Sequence, residues 1–140
     1  TRSFALAADP RVLRDGLTNL DLDASLAFQI KVRAAISEAR KLAESVNQSL
    51  QKANVRPPAA APAGVRPMEL KFDHPLQKVW ATINDMPGAY PQPMLLNQFN
   101  NVQRMVGQAD QKIGKDAVER LDDLMKDLAA LQAEFKKAGG

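Results

Sequence analysis

The sequence has no cysteine and few aromatic residues. Without cysteine the chain can form no disulfide bond and no catalytic thiolate, and it lacks the best zinc ligand. It has one Trp and one Tyr, and aromatic residues make up 5% of the chain. This composition is unlike that of an aromatic-rich β-sandwich or a base-stacking surface. Apolar runs fall well short of the roughly 20 residues that cross a bilayer, so we expect no membrane insertion.

Neither basic nor acidic residues are in large excess. The 19 Lys and Arg residues stand against 16 Asp and Glu residues, which gives a net charge of +3. Up to Lys78 there are 12 basic and 8 acidic residues, and beyond it 7 and 8, so neither half is a basic module. We therefore expect no binding of nucleic acid through bulk charge. A length of 140 residues fits one domain.

The last third of the chain predicts two amphipathic helices joined by a tight turn, over residues 91–137. Gly114 is expected to end the first helix in a left-handed conformation, and Asp116 with Glu119 resembles a capping box at the start of the second. Each helix must bury an apolar stripe, so the rest of the chain must supply the other walls of a bundle. The stripes are Leu95, Phe99, Val102, Val106, Ala109 and Ile113, then Leu121, Leu124, Leu128, Leu131 and Phe135.

A long first helix is predicted from Asn19 to about Asn54. Thr18 and Asp21 match a capping box, and no Gly or Pro interrupts the segment that follows. At 1.5 Å per residue it would be roughly 54 Å long and would overhang or bend around the bundle. Its wide apolar face predicts contact with two neighbours. The face has one row of Leu22, Leu26, Ile30, Ile36, Ala43, Val46 and Leu50 and another of Phe28, Val32, Ala35, Ala39 and Leu42.

The segments that flank this helix contain proline. Residues 2–11 alternate apolar and small residues, which predicts a short strand within an extended arm over residues 1–17. Because a lone strand has no partner, Phe4 and Leu6 must either dock on the bundle or belong to the last strand of an upstream β-domain. We expect the arm to be the end of such a β-domain, with the helical bundle domain over residues 18–140. Residues 55–67 hold four prolines and predict a linker, which extends to residue 72. Asp73 is expected to cap a short helix that carries Leu76, Val79, Trp80 and Ile83.

No pattern in the chain indicates a reaction. His74 is the only histidine and no Glu-x-x-His occurs, so we expect no metal site and interpret His74 as a surface or capping residue. Asp122, Asp123 and Asp127 are expected to be solvated on the last helix. Neither a nucleophile motif nor a glycine-rich phosphate loop occurs. We expect no enzyme activity and no cofactor.

The element order resembles the C-terminal helical region of bacterial proteins with sortilin-type, Asp-box (glycosyl-hydrolase-like) β-propeller repeats. The matching pieces are FALAADPRV at residues 4–12, TNLDL at 18–22, YPQPM at 90–94 and RLDDLMKDLAAL at 120–131. The resemblance implies an exported, periplasmic or extracellular, multidomain protein of which this chain is a terminal helical module. The chain begins at Thr1 rather than Met, and we likewise expect it to be part of a longer protein. No Asp-box lies in this chain, so no hydrolase activity is implied.

We therefore predict an all-α, antiparallel four-helix bundle-like domain with a long first helix, a Pro-rich crossover and an extended N-terminal arm. The predicted function is a non-catalytic interaction or scaffold module that packs against upstream domains of its parent protein or forms a homodimer. The alternatives are a small-ligand-binding helical bundle and a coiled-coil-type assembly domain. The candidate interface on the first helix consists of Phe28, Val32, Ala39, Leu42, Val46 and Leu50.

Overall fold

A computed structural model describes residues 9–59, 70–86, 94–108 and 111–139. Of these described residues 75% are helical, and none lies in a strand. Four main helices pack together, so the prediction of an all-α bundle with a long first helix is confirmed. In chain order the helices are α1 (Pro10–Arg14), α2 (Asn19–Lys52), α3 (Pro75–Ile83), α4 (Leu95–Gly107) and α5 (Lys115–Lys137).

Helix α2 begins at the predicted capping box. The Thr18 hydroxyl accepts a 3.2 Å hydrogen bond from the Asp21 backbone N–H, and the Asp21 carboxylate accepts a 2.8 Å bond from the Thr18 N–H. These reciprocal bonds satisfy two backbone donors that the helix leaves free at its start. Leu17 and Leu22 occupy the positions of a hydrophobic staple around this cap, and both are half-buried.

Helices α3 and α4 follow one another along α2 and run antiparallel to it. Near the start of α3 the Gln77 side chain donates to the Arg56 carbonyl at 2.9 Å, beyond the C-terminal end of α2. Farther down, the carbonyl of Val106 in α4 accepts from Gln29 at 3.4 Å. Residue numbers therefore rise along α3 and α4 as they fall along α2. Together the two shorter helices cover one side of the longer one.

Helix α5 runs parallel to α2 and closes the bundle. Lys31 of α2 contacts Asp122 of α5 at 3.1 Å, and Lys78 of α3 contacts Glu134 of α5 at 3.7 Å. Helix α2 thus contacts three helices, one more than its wide apolar face predicted. The two predicted C-terminal stripes form much of the core. Its most completely buried large side chains are Phe99, Leu50, Ile83, Leu121, Leu124, Val32, Val46 and Val79.

The N-terminal arm contains a helix that the sequence did not predict. The Asp9 carboxylate accepts a 2.8 Å bond from the Arg11 N–H, and Pro10 occupies the first helical position, so residues 10–14 are helical rather than extended. A capping aspartate followed by proline is a strong helix start, and it overrides the extended tendency read from the residues before it. The strand prediction itself falls mostly on residues 1–8, outside the described residues.

The cap of α3 lies one residue later than predicted. His74, not Asp73, is the N-cap, and its Nδ1 accepts a 3.2 Å bond from the Leu76 N–H. The Gln77 side chain accepts from the His74 N–H in return, at 3.2 Å. Pro75 then occupies the first helical position, which leaves His74 as the residue that caps it. The prediction that His74 acts as a surface or capping residue is therefore confirmed in its capping form.

The turn between α4 and α5 differs from the prediction. Helix α4 ends at Gly107, and Gly114 is the N-cap of α5 with φ −68° and ψ 150°, which is ordinary extended backbone. No side chain caps α5, because the helix begins at Lys115 and places Asp116 and Glu119 inside it. Ile113 was predicted as part of the helical stripe. It packs against the core, but from the non-helical residues that precede α5. Ala109 and most of the Pro-rich linker lie outside the described residues.

Candidate interaction surface

The six residues predicted as an interface lie inside the bundle. The residues Phe28, Val32, Ala39, Leu42, Val46 and Leu50 are at most 8% exposed and belong to the hydrophobic core. Helices α3, α4 and α5 cover the face of α2 that carries them. Their periodicity is that of an intramolecular core face. A contact between α2 and another molecule must therefore use other side chains of this helix.

Large apolar side chains that are exposed concentrate at one end of the bundle, around the N-terminal third of α2. The opposite end, around α3 and the C-terminal turns of α2 and α5, has none among the described residues. We call the exposed set the apolar end. Its members are Leu13, Leu20, Leu26, Ile30, Met105, Val118 and Met125.

The contacts between helices show why these side chains share one end. Met105 precedes Val106, whose carbonyl accepts from Gln29 of α2. Met125 lies one turn after the α5 residue that pairs with Lys31, and Val118 lies one turn before that residue. The α4 and α5 members therefore lie at the level of the first third of α2. Met105 is 60% exposed and Met125 is 40% exposed, so neither fills a gap in the core.

The outward face of α2 carries a short line of side chains that we call the outer stripe: Asp23, Leu26, Ile30 and Arg33. Leu26 is 59% exposed and Ile30 is 56% exposed, and both charged residues are exposed. Successive members are three, four and three residues apart, so they lie along one side of the helix. The sequence prediction placed Leu26 and Ile30 in the buried row. On a helical wheel Leu26 and Ile30 lie opposite Val32 and Ala39, and because both sides of the wheel carry apolar residues, it does not identify the covered side.

Three charged groups of the described residues have a shifted pKa, and the largest cause of each shift is a local hydrogen bond. The hydrogen bond from the Thr18 hydroxyl is the main cause of the lowered pKa of Asp21, and the bond from the Thr18 backbone N–H is the second. Lys112 at 3.6 Å adds to this lowering. A hydrogen bond to Asp123 raises the pKa of Lys126, and the bonds from Arg11 lower that of Asp9. Every buried side-chain nitrogen or oxygen in the described part has a hydrogen-bond partner. Each shift moves its group further from titration near neutral pH.

Two shallow grooves flank the C-terminal part of α5, away from the apolar end. One, of about 320 Å³, lies between α2 and α5, with Leu42 and Phe135 among its lining residues and Glu38, Lys41 and Lys136 around them. Glu38 and Lys41 pair with each other at 2.8 Å. The second, of about 220 Å³, lies between α3 and α5. Both grooves are open on the solvent side.

The described residues contain no group of three or more His, Asp or Glu side chains that could hold a metal ion. Within the same ranges, no helix has the length and hydropathy needed to cross a membrane.

No protein-family model, no curated protein and no solved structure matches this chain.

Proposed function

We propose that this chain is a non-catalytic helical interaction or scaffold module and that the apolar end is its binding surface. The supporting observation is that the exposed large apolar side chains of the described residues share one end of the bundle. Single exposed apolar side chains are common on proteins, whereas a concentration of them marks a surface that another protein covers. Covering them contributes free energy at about 25 cal/mol for each Å² of apolar surface removed from water.

We also propose that the covering surface includes upstream domains of a larger exported β-propeller repeat protein, of which this chain is the C-terminal domain. The polypeptide enters the bundle at Thr18, through α1 and residues 15–17, so whatever precedes residue 9 is connected at the apolar end. A domain attached there needs no long linker to reach Leu20, which is 80% exposed. The resemblance to the sortilin-type proteins suggests the kind of upstream domain.

Hydroxyl-radical labelling tests whether a protein surface covers the apolar end. Leu26, Ile30 and Met105 should be labelled several-fold less in the full-length natural protein than in this chain at low concentration. Trp80 and His74, at the other end, are the internal control and should be labelled equally in both samples. If Leu26 and Ile30 were labelled equally in both samples at every concentration, no protein would cover this end and the proposal would be wrong.

A further inference from the structure

The two ends of the outer stripe carry charges of opposite sign. Asp23 and Arg33 bracket Leu26 and Ile30, and the spacing of three, four and three residues is that of one coiled-coil seam. Neither charged group has an ion pair or hydrogen bond among the described residues. Two unpaired charges therefore flank two exposed aliphatic side chains on one line of α2.

This pattern is complementary to itself when a second copy is turned end for end. The two-fold axis crosses the stripe at the level of residue 28. Each residue of the stripe then faces the residue of the second copy whose number, added to its own, gives 56. Leu26 then meets Ile30 of the second copy, and Asp23 meets Arg33. The contact has two apolar layers at its centre and an ion pair on each side, as an isologous interface requires.

We propose that the outer stripe binds a second copy of this chain as an antiparallel α2–α2 pair. This inference rests on the proposed function and identifies one partner of the apolar end. The charges select the orientation, because parallel copies would place Asp23 beside Asp23 and Arg33 beside Arg33. Like charges in direct contact disfavour such a pairing.

The surroundings of the stripe permit a second helix to approach. Ala27 and Ala34 lie next to it, are exposed and project little beyond the backbone. Helix α1 contacts no other helix, so within the described residues it does not cover the stripe. An interface limited to one helix face is small beside the roughly 1,600 Å² of a standard complex. The dimer should therefore form and dissociate rapidly, in a concentration-dependent equilibrium.

Sedimentation equilibrium of this chain over a wide concentration range, with charge-reversal variants, tests the pairing. The wild type should show a monomer–dimer equilibrium. Asp23→Arg and Arg33→Asp should each weaken dimerisation at least tenfold, because each places like charges in both outer layers. Mixed in equal amounts, the two variants should form a heterodimer at least tenfold tighter than either homodimer, since both layers then pair Arg with Asp. The double variant should dimerise like the wild type.

Gln48→Glu is the matched control, because it adds a charge at an exposed residue of α2 that lies outside both the outer stripe and the apolar end. It should leave the dimerisation constant unchanged, and circular dichroism should show every variant folded. A wild type that stays monomeric at all concentrations would overturn the second copy as partner. Unchanged single variants would place the contact elsewhere, and weakened variants that fail to form a heterodimer would rule out the antiparallel pairing. The proposed function is tested separately, by the labelling of the full-length protein, whichever of these results is obtained.

Discussion

The indole Nε1 of Trp80 donates a 2.7 Å hydrogen bond to the Oδ1 of Asn47, joining α3 to the C-terminal part of α2. Trp80 is half-buried against the core, so its ring contributes apolar contact while its single donor reaches a partner at the surface. Asn47 belongs to an Asn-x-Ser sequon, which here lies within a long helix and takes part in helix packing.

Removing this bond should destabilise the bundle modestly. We expect a coupling free energy of about 0.5–1.5 kcal/mol from a double-mutant cycle of Asn47→Ala and Trp80→Phe, measured by urea denaturation. Gln48→Ala is the control, because Gln48 is exposed and its side chain makes no hydrogen bond with any residue that the structure describes. Strictly additive effects of the two substitutions would mean that the bond contributes nothing to stability.

Asp85 should be required for the start of α4. Its carboxylate accepts a 2.8 Å bond from the backbone N–H of Met94 and a 2.7 Å bond from the Asn97 side chain. Because Met94 offers no side-chain cap, Asp85→Ala should cost about 1–2 kcal/mol of unfolding free energy. Chemical denaturation measures this. Asp127→Ala, at an exposed carboxylate, should change the unfolding free energy by less than about 0.5 kcal/mol, and an equal loss for both would argue against the capping role.

The core stripe of α5 can be tested with a neighbouring pair of positions. Leu128 is 6% exposed and Met125, three residues earlier on the same helix, is 40% exposed. Leu128→Asp buries an unpaired charge and should cost on the order of 4 kcal/mol, which is enough to unfold much of a marginally stable domain. Met125→Asp should change stability by less than about 1 kcal/mol. Thermal melts followed by circular dichroism compare the two, and similar melting temperatures would contradict the assignment of the core.

The capping box at Thr18 should make stability depend on acid. Because hydrogen bonds from Thr18 hold the pKa of Asp21 below its ordinary value, the ionised carboxylate stabilises the folded state. This contribution is fully present above the unfolded pKa and is lost as pH falls through the lower, folded pKa. Thr18→Ala removes the hydroxyl donor, so the pKa of Asp21 should rise towards its ordinary value.

A side-chain carboxyl NMR titration measures this shift residue by residue. Asp9 is the internal control, because hydrogen bonds from Arg11 lower its pKa and Thr18→Ala does not touch them. An unchanged Asp21 pKa in the variant would show that the hydroxyl is not the main cause of the shift.

Local signals predicted the helices best where they were strong and uninterrupted. The start of α2 follows from Thr18 and Asp21 because a capping box depends only on four adjacent residues. The stripes of α4 and α5 follow from periodicity, since a helix with one apolar face must bury it. Local signals failed at the α4–α5 turn, where Ile113 reaches the core from a connector and the helix need not continue. The helical spacing of Ile113 therefore did not predict a helix there, because its side chain can reach the core from non-helical backbone.

The sequence by itself determined the fold class, the long helix with its start, and which faces of the last two helices are buried. Only the tertiary structure decided which side of α2 is covered, because Leu26 and Ile30 are as apolar as the residues that its neighbours bury. Helices α3, α4 and α5 pack on the side that carries Val32 and Ala39. The outer stripe is left in water because these three helices all pack on the opposite side of α2, and that arrangement depends on contacts between segments far apart in the chain.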